Sequence, residues 1–119
     1  MRRPGPPRDI PPPLELECLK ALWSIRKGSV RDVRHEITRN RDLAYTTVMT
    51  VLDRLERRGA VGRTKIGRMF VYEPILSRET LRKLAVKDLV EALFEGSEEA
   101  LISYLRADSL ETPRRGEVP

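Results

Sequence analysis

Residues 45–57 carry two faces of opposite chemical character, and this pattern constrains the fold more than any other feature of the chain. At about 100° per residue, four apolar residues fall within one narrow arc, at the spacing of a helix that packs against a core. These residues are Val48, Val51, Leu52 and Leu55. Basic residues suit the last turn of a helix and glycine suits the position beyond it, so we predict that the helix stops near Arg57, Arg58 and Gly59.

The opposite side of the same predicted helix is polar and rich in threonine. The helical count places Thr46, Thr50, Asp53 and Arg57 together there, with Thr47 and Arg54 on one flank and Met49 on the other. Three β-branched hydroxyl residues are poor choices for an exposed helix on propensity alone, so we expect a function to account for them. Threonine offers both a hydroxyl and a methyl group to base edges in the major groove of DNA. For Arg57 and Arg58 at the end of the helix, the alternative role is simply to cap it.

Two short strand-like runs follow this helix. Residues 61–66 and 69–73 flank Gly67 and Arg68, and Pro74 closes the second run. This pattern predicts a β-hairpin whose tip carries Lys65 and Arg68. A basic tip beside such a helix can reach phosphates or the adjacent minor groove of DNA. The alternative is a solvated hairpin whose edge is protected by charge.

Two further helices are predicted upstream. Over residues 14–25, after two prolines that suit a helix start, apolar residues recur at helical spacing: Leu16, Cys18, Leu19, Leu22 and Trp23. We expect Trp23 to anchor the core. Lys27 and Gly28 then break the chain, and Ser29 is a suitable N-cap for a short helix over 30–38. Three helices followed by a hairpin are the order of a winged helix-turn-helix domain, a mainly α fold with a small β-hairpin.

The second predicted helix and the turn after it are rich in arginine. In helix-turn-helix folds this helix crosses the DNA backbone. The arginines on or near it are Arg31, Arg34, Arg39 and Arg41. Phosphate contact and simple solvation are both open for these four side chains.

At these residues the chain resembles the penicillinase-repressor family of bacterial regulators, the BlaI, MecI and CopY group, from about residue 14 to 105. The matching residues are Glu15-Leu16-Glu17, Leu22-Trp23, Tyr45-Thr46-Thr47-Val48, Asp53-Arg54-Leu55, Gly67-Arg68 and Phe70-Val71-Tyr72-Glu73-Pro74. In that family a winged-helix domain binds palindromic operators as a homodimer and represses resistance or stress-response genes. The resemblance implies base contacts by Thr46, Thr47, Met49 and Thr50. We expect contacts to the DNA backbone from six further residues: Arg31, Arg41, Tyr45, Arg54, Lys65 and Arg68.

Charge divides the chain into a basic and a slightly acidic part. Residues 14–76 hold 13 Lys/Arg and 8 Asp/Glu, a net +5, and residues 77–110 hold 5 and 7, a net −2. The first part is therefore expected to meet a polyanion and the second a different partner. Charge alone does not separate DNA from RNA or an anionic membrane.

The second part is expected to pair with another copy of the chain. Ser77 can cap a helix running to about Phe94, and Gly96 and Ser97 can end it and start another that reaches about Arg106. Apolar residues spread over roughly 220° of the first of these helices, whereas a helix packed on one domain needs a stripe of little more than ~100°. The apolar surface that one domain cannot cover predicts a dimer across a twofold axis. Its expected residues are Leu81, Ala85, Leu89, Val90, Leu93, Phe94, Leu101, Ile102 and Leu105. The alternative is a helix folded entirely onto its own winged domain.

The resemblance also bears on how repression is relieved. Staphylococcal members of the family are cut by a sensor protease at an Asn-Phe bond in this terminal region, and the corresponding bond here is Tyr104-Leu105. The copper-responsive branch carries a C-terminal cluster of cysteines, whereas Cys18 is the single cysteine here. The identity of the inducing sensor or protease is therefore an open question. We expect no cofactor, no metal site and no copper or zinc switch.

An enzyme has little support in the sequence. His35, the single histidine, has no nucleophile or metal-ligand spacing around it and is expected at the surface. Asp53 and Arg57, at i, i+4, are expected to form a structural ion pair. The alternative function is a winged helix that contacts protein or RNA, but a docking helix would carry a central apolar anchor, and Met49 lies on a flank.

The remaining segments suggest a cytosolic protein with loose ends. No apolar run approaches the ~20 residues that span a membrane, and Cys18 is expected to be a small buried hydrophobe. Residues 1–13 hold six prolines and three arginines, which predicts a disordered tail. We therefore divide the chain into this tail, a winged domain over 14–76, a dimerisation region over 77–107 and a loose end over 108–119.

Overall fold

The computed structural model describes residues 10–39 and 41–107, and within them five helices and one hairpin follow one another along the chain. The elements are α1 (Pro13–Ile25), α2 (Val30–Ile37), α3 (Tyr45–Arg57), β1 (Val61–Ile66), β2 (Met69–Pro74), α4 (Arg78–Leu93) and α5 (Glu98–Arg106). The predicted mainly α class with a small β-hairpin is confirmed. Each element begins and ends within one residue of its predicted bounds.

Serine side chains start three of the helices. Ser29 forms a capping box with Asp32, because its hydroxyl accepts from the Asp32 N–H (3.2 Å) and the Asp32 carboxylate accepts from the Ser29 N–H (2.9 Å). Ser77 and Ser97 each accept from the N–H three residues further on, at 3.0 Å in both cases. These bonds satisfy N–H groups that a helix leaves unpaired at its start, so the helix starts follow from local sequence.

The core lies between α1, α2, α3 and the base of the hairpin. All four residues of the predicted apolar face of α3 are buried, and Leu19, Leu22 and Val33 are fully buried opposite them. Cys18 is also buried, as predicted, and burial raises the pKa of its thiol to about 12. His35 is exposed, as predicted.

The hairpin, which we call the wing, is a two-stranded antiparallel sheet in which Ile66 pairs with Met69 next to the turn. Gly67 takes a φ of 64° in that turn, a conformation that glycine adopts without steric cost. At its base the wing is joined to the α1–α2 loop by two backbone hydrogen bonds between Gly28 and Tyr72, with N···O distances of 3.0 and 2.8 Å. A Cβ atom at position 28 would lie 2.8 Å from the Cβ of Asp32, so the close approach of Gly28 to Asp32 requires glycine.

Trp23 is half-buried against the core and attaches the start of α4 to α1. Its indole N–H donates to the carbonyl oxygen of Leu76 (2.9 Å), and the Arg78 guanidinium lies 4.9 Å from its ring centre. Leu81, one turn into α4, is buried in the same core. The first turn of α4 is therefore part of the winged domain.

The folded region begins earlier than predicted. Ile10 packs against the core, Pro11 is buried and Pro13 is already in α1. The predicted tail therefore differs from the structure at residues 10–13, because Ile10 and Pro11 cover apolar surface and α1 begins at Pro13. The rest of that tail, Asn40 in the α2–α3 turn and the predicted loose end over 108–119 lie outside the described residues. No helix in the described part of the chain is long and apolar enough to cross a membrane.

Candidate nucleic-acid interface

The polar side of α3 faces solvent along its length. Thr46, Met49, Thr50 and Arg54 are exposed, and Thr47 is half-buried. Thr46, Thr47 and Thr50, which we call the threonine face, lie opposite residues that are at most 2% exposed. Burial of one side of α3 therefore fixes its rotation and presents the threonine face outward.

An ion-pair network joins α3 to the wing. The Asp53 carboxylate accepts a hydrogen bond from Arg57, which confirms the predicted pair, and one of its oxygens lies 3.5 Å from the guanidinium of Arg63 in β1. Arg63 in turn stacks on Phe70 of β2, 4.4 Å from the ring centre. The hydrogen bond from Arg57, together with the charges of Arg57 and Arg63, lowers the pKa of Asp53. Asp53 is therefore ionised at neutral pH and bridges the two elements.

This network places the threonine face and the basic side of the wing on one surface. Residues two apart in a strand share a face, so Lys65 lies on the same side of the wing as Arg63, which meets Asp53. Asp53 continues the outward side of α3 that begins at Thr46 and Thr50, at i, i+4 and i+7. A continuous surface thus runs from the threonine face to Lys65.

The predicted cationic contacts separate into free and paired side chains. Arg31, Arg54, Lys65 and Arg68 are exposed and form no ion pair within residues 10–39 and 41–107. Tyr45, the first residue of α3, is also exposed. Arg41, also predicted to contact the backbone, pairs with Glu17 at 3.0 Å. Reaching a phosphate would require Arg41 to exchange that carboxylate for it.

Two further arginines near α2 have intramolecular partners. Arg34 donates to the carbonyl oxygen of Leu43 (2.7 Å), and its guanidinium lies 3.9 Å from Asp42. Arg39 pairs with Glu36 at 3.4 Å. Arg34 therefore stabilises the turn that leads into α3, a role that the sequence does not reveal.

A second exposed surface lies on α4 and α5. Five large aliphatic residues there are more than a third exposed, and we call them the C-terminal surface: Val86, Leu89, Leu93, Ile102 and Leu105. Phe94 and Tyr104 hold the two helices together through an edge-to-face contact with ring centres 5.6 Å apart. Of the other predicted interface residues, Val90 is buried, and Ala85 and Leu101 are half-buried. Leu81 packs into the winged core, so its apolar surface is covered within one chain.

Comparison with known proteins agrees with this fold. The family model described as penicillinase repressor matches residues 12–113. The chain belongs to the penicillinase-repressor family. Relatives of this family member are named as regulators and repressors, and the prediction that it is a transcriptional regulator rather than an enzyme is confirmed.

The relatives of this penicillinase-repressor family member span most of its length. The transcriptional regulator BlaI of Mycobacterium tuberculosis (strain CDC 1551 / Oshkosh) is 36% identical over 108 residues, which cover 86% of this chain and 78% of the relative. The penicillinase repressor of Bacillus licheniformis is 26% identical over 97 residues, covering 81% and 76%. A MarR family protein from Bacillus stearothermophilus shares the fold, with a TM-score of 0.51 at 20% identity over 83% of this chain and 71% of that one.

Sequence reasoning missed one ion pair in this family member, formed by a buried carboxylate and a half-exposed arginine. Glu15, in the first turn of α1, is 5% exposed, and its Oε1 lies 3.3 Å from the Nε of Arg58, the C-cap residue of α3. The Oε1 atom makes no aligned hydrogen bond, so the contact is ionic. A carboxylate on the apolar side of α1 was the available signal, because a buried charge needs a partner. The pair ties the end of α3 to α1.

Proposed function

We propose that this penicillinase-repressor family member represses transcription by binding a palindromic operator as a homodimer. The threonine face of α3 enters the major groove, with Met49 beside it, and the wing contacts the DNA backbone. The observation that carries the proposal is the exposure of these side chains on a helix whose opposite side is completely buried. A helix held this firmly is suited to reading bases, because its side chains are presented in a fixed geometry.

The chemistry of the exposed side chains suits DNA. Thr46 and Thr50 offer hydroxyl groups that donate to or accept from base edges, and their methyl groups can contact a thymine methyl. Arg54, Lys65 and Arg68 have no carboxylate partner among the described residues. They are therefore available to phosphates, which position a protein on the duplex without reading its sequence.

Pairing through the C-terminal surface supplies the symmetry. A twofold axis would bury the apolar residues of α4 and α5 that one chain leaves exposed. It would also present two copies of α3 to half-sites one helical turn, about 34–36 Å, or a multiple of it apart. Loss of pairing would leave each subunit with mainly nonspecific affinity, so weakening this surface is the expected route to derepression.

The threonine face is tested by separating specific from nonspecific affinity. A duplex enriched from a random pool by the wild-type chain serves as the cognate probe, and an unselected duplex as the nonspecific one. Thr50→Ala should weaken cognate binding by about 1–3 kcal/mol, the usual cost of a lost base contact, and leave nonspecific binding nearly unchanged. Thr64→Ala, an exposed threonine of the wing, is the matched control and should keep the wild-type ratio of the two affinities.

The outcome distinguishes this proposal from other uses of the fold. Equal loss on both duplexes would reject base readout by Thr50. A wild-type chain that enriches no duplex would favour a protein- or RNA-interaction module, because winged helices are not restricted to DNA.

A further inference from the structure

The tip of the wing, residues 65–70, exposes apolar side chains that no core covers. Ile66 is 57% exposed and Met69 is 50% exposed. The two residues pair directly across the hairpin beside the Gly67-Arg68 turn. Exposed apolar residues at a hairpin end favour aggregation unless a partner covers them, so their position indicates a contact surface.

The other side of the wing tip is also apolar, and cations surround it. Paired residues of an antiparallel sheet share a face, so Phe70 and Lys65 lie together on the side opposite Ile66 and Met69. Phe70 is 38% exposed, with Arg63 at 4.4 Å and Lys65 at 6.0 Å from its ring centre. The wing tip therefore combines apolar residues on both sides with a basic turn.

Charge around the wing tip specifies what kind of partner would fit it. Residues 63–70 contain three cations and no carboxylate, and two of these cations, Lys65 and Arg68, form no ion pair within the described residues. The complementary partner is a slot with apolar walls and anionic rims. The minor groove of DNA has this character, since deoxyribose lines its walls and phosphates line its edges, and apolar side chains of architectural proteins enter it.

We propose that Ile66 and Met69 form an apolar wedge that enters the minor groove next to the site read by α3, while Arg68 and Lys65 hold the flanking phosphates. The inference rests on the proposed function, which places α3 in the major groove. The Asp53–Arg63 contact ties the wing to α3, so the wing tip reaches a fixed distance along the same duplex. The wedge is a positioning and specificity element that the basic tip alone does not provide.

The size of the wedge implies that the DNA deforms. The two strands of a hairpin are about 4.8 Å apart before side chains are added, and the minor groove of B-DNA is about 6 Å wide. Ile66 and Met69 can enter only if the groove widens. The repressor should therefore favour flexible pyrimidine–purine steps beside its recognition site and bend the duplex there.

The test compares Ile66→Ala/Met69→Ala with Ile75→Ala in the full chain. Ile75 is 66% exposed and lies outside the wing tip, so it is a matched loss of exposed apolar surface. The probe is the duplex enriched by the wild-type chain, labelled at both ends so that energy transfer reports bending. We expect the double variant to bind about tenfold more weakly, as when two partly covered side chains are truncated, with less bending and an unchanged salt dependence. Ile75→Ala should match the wild type.

Arg68→Ala provides the contrasting result, because loss of one phosphate contact should flatten the salt dependence by about one unit of slope. On a duplex with A·T flanks, the minor-groove ligand distamycin should weaken wild-type binding but not binding of the double variant. Wild-type affinity or wild-type bending in the double variant would overturn the wedge while leaving base readout by α3 intact. A wild-type chain that enriches no duplex would overturn the proposed function and the wedge together.

Discussion

In the proposed homodimer, Leu93→Ala should weaken the pairing of the two subunits while leaving each one folded. Leu93 lies at the end of α4 and is 68% exposed in the single chain, the largest exposure among the apolar residues of the C-terminal surface. Truncating it removes little packing within one subunit. In the proposed dimer it is covered, so the change acts on association and not on folding.

The expected loss of association free energy follows from the surface that Leu93 exposes in the single chain. Burying a whole leucine side chain contributes about 1.5–3 kcal/mol, so covering the exposed two thirds of Leu93 contributes roughly 1–2 kcal/mol. A twofold interface contains this residue twice, which brings the loss to roughly 2–4 kcal/mol per dimer. That corresponds to an increase of about 30-fold to 1000-fold in the dimer dissociation constant.

Sedimentation equilibrium over a range of protein concentrations measures this constant directly. Ile75→Ala removes a similar exposed side chain, 66% exposed, from outside the C-terminal surface and should leave the dissociation constant unchanged. Truncation after Pro74 is a poorer test, because it also deletes Leu81 from the core and the Leu76 carbonyl that accepts from Trp23. A Leu93→Ala protein that dimerises as tightly as the wild type, or a wild-type chain that is monomeric at micromolar concentration, would refute the reasoning.

Two further predictions concern the ion pairs that hold α3. The Arg57 hydrogen bond and the nearby cations hold the pKa of Asp53 below its ordinary 3.8, so its contribution to stability is full above that value and is lost as pH falls through the lowered pKa. Asp53→Asn should therefore show a smaller fall in Tm between about pH 5 and pH 2 than the wild type, and an identical pH profile would contradict the bridge. Arg58→Ala should lower the free energy of unfolding in urea by about 1–3 kcal/mol, since it strands the buried Glu15 carboxylate but removes a cation that is itself half exposed. An unchanged urea midpoint would show that Glu15 needs no partner.

Local patterns were sufficient to predict every element of the winged domain. Three features act over only a few residues: the apolar spacing along α3, the serine at each of three N-caps and the Gly67 turn. Their structural consequences can therefore be predicted from neighbouring residues. The threonine face follows by the same argument, because one buried side of a helix determines which residues lie opposite it.

Contacts between distant segments were beyond the reach of such patterns. Arg31 and Arg41 look alike in the sequence, yet Arg41 lies beside Glu17, 24 residues away, and Arg31 has no ion-pair partner in the described region. Leu81 has the spacing of an interface residue, but the chain returns it to its own core.

The sequence by itself determined the order of the helices and the wing, the buried side of α3 and, through motifs spread over most of its length, the family. Only the tertiary structure decided which cations are paired, where α4 leaves the core and that the wing tip is apolar on both sides. The physical reason is that helix periodicity and capping are set by nearby residues, whereas burial and charge pairing depend on which remote side chains the fold brings within a few ångströms.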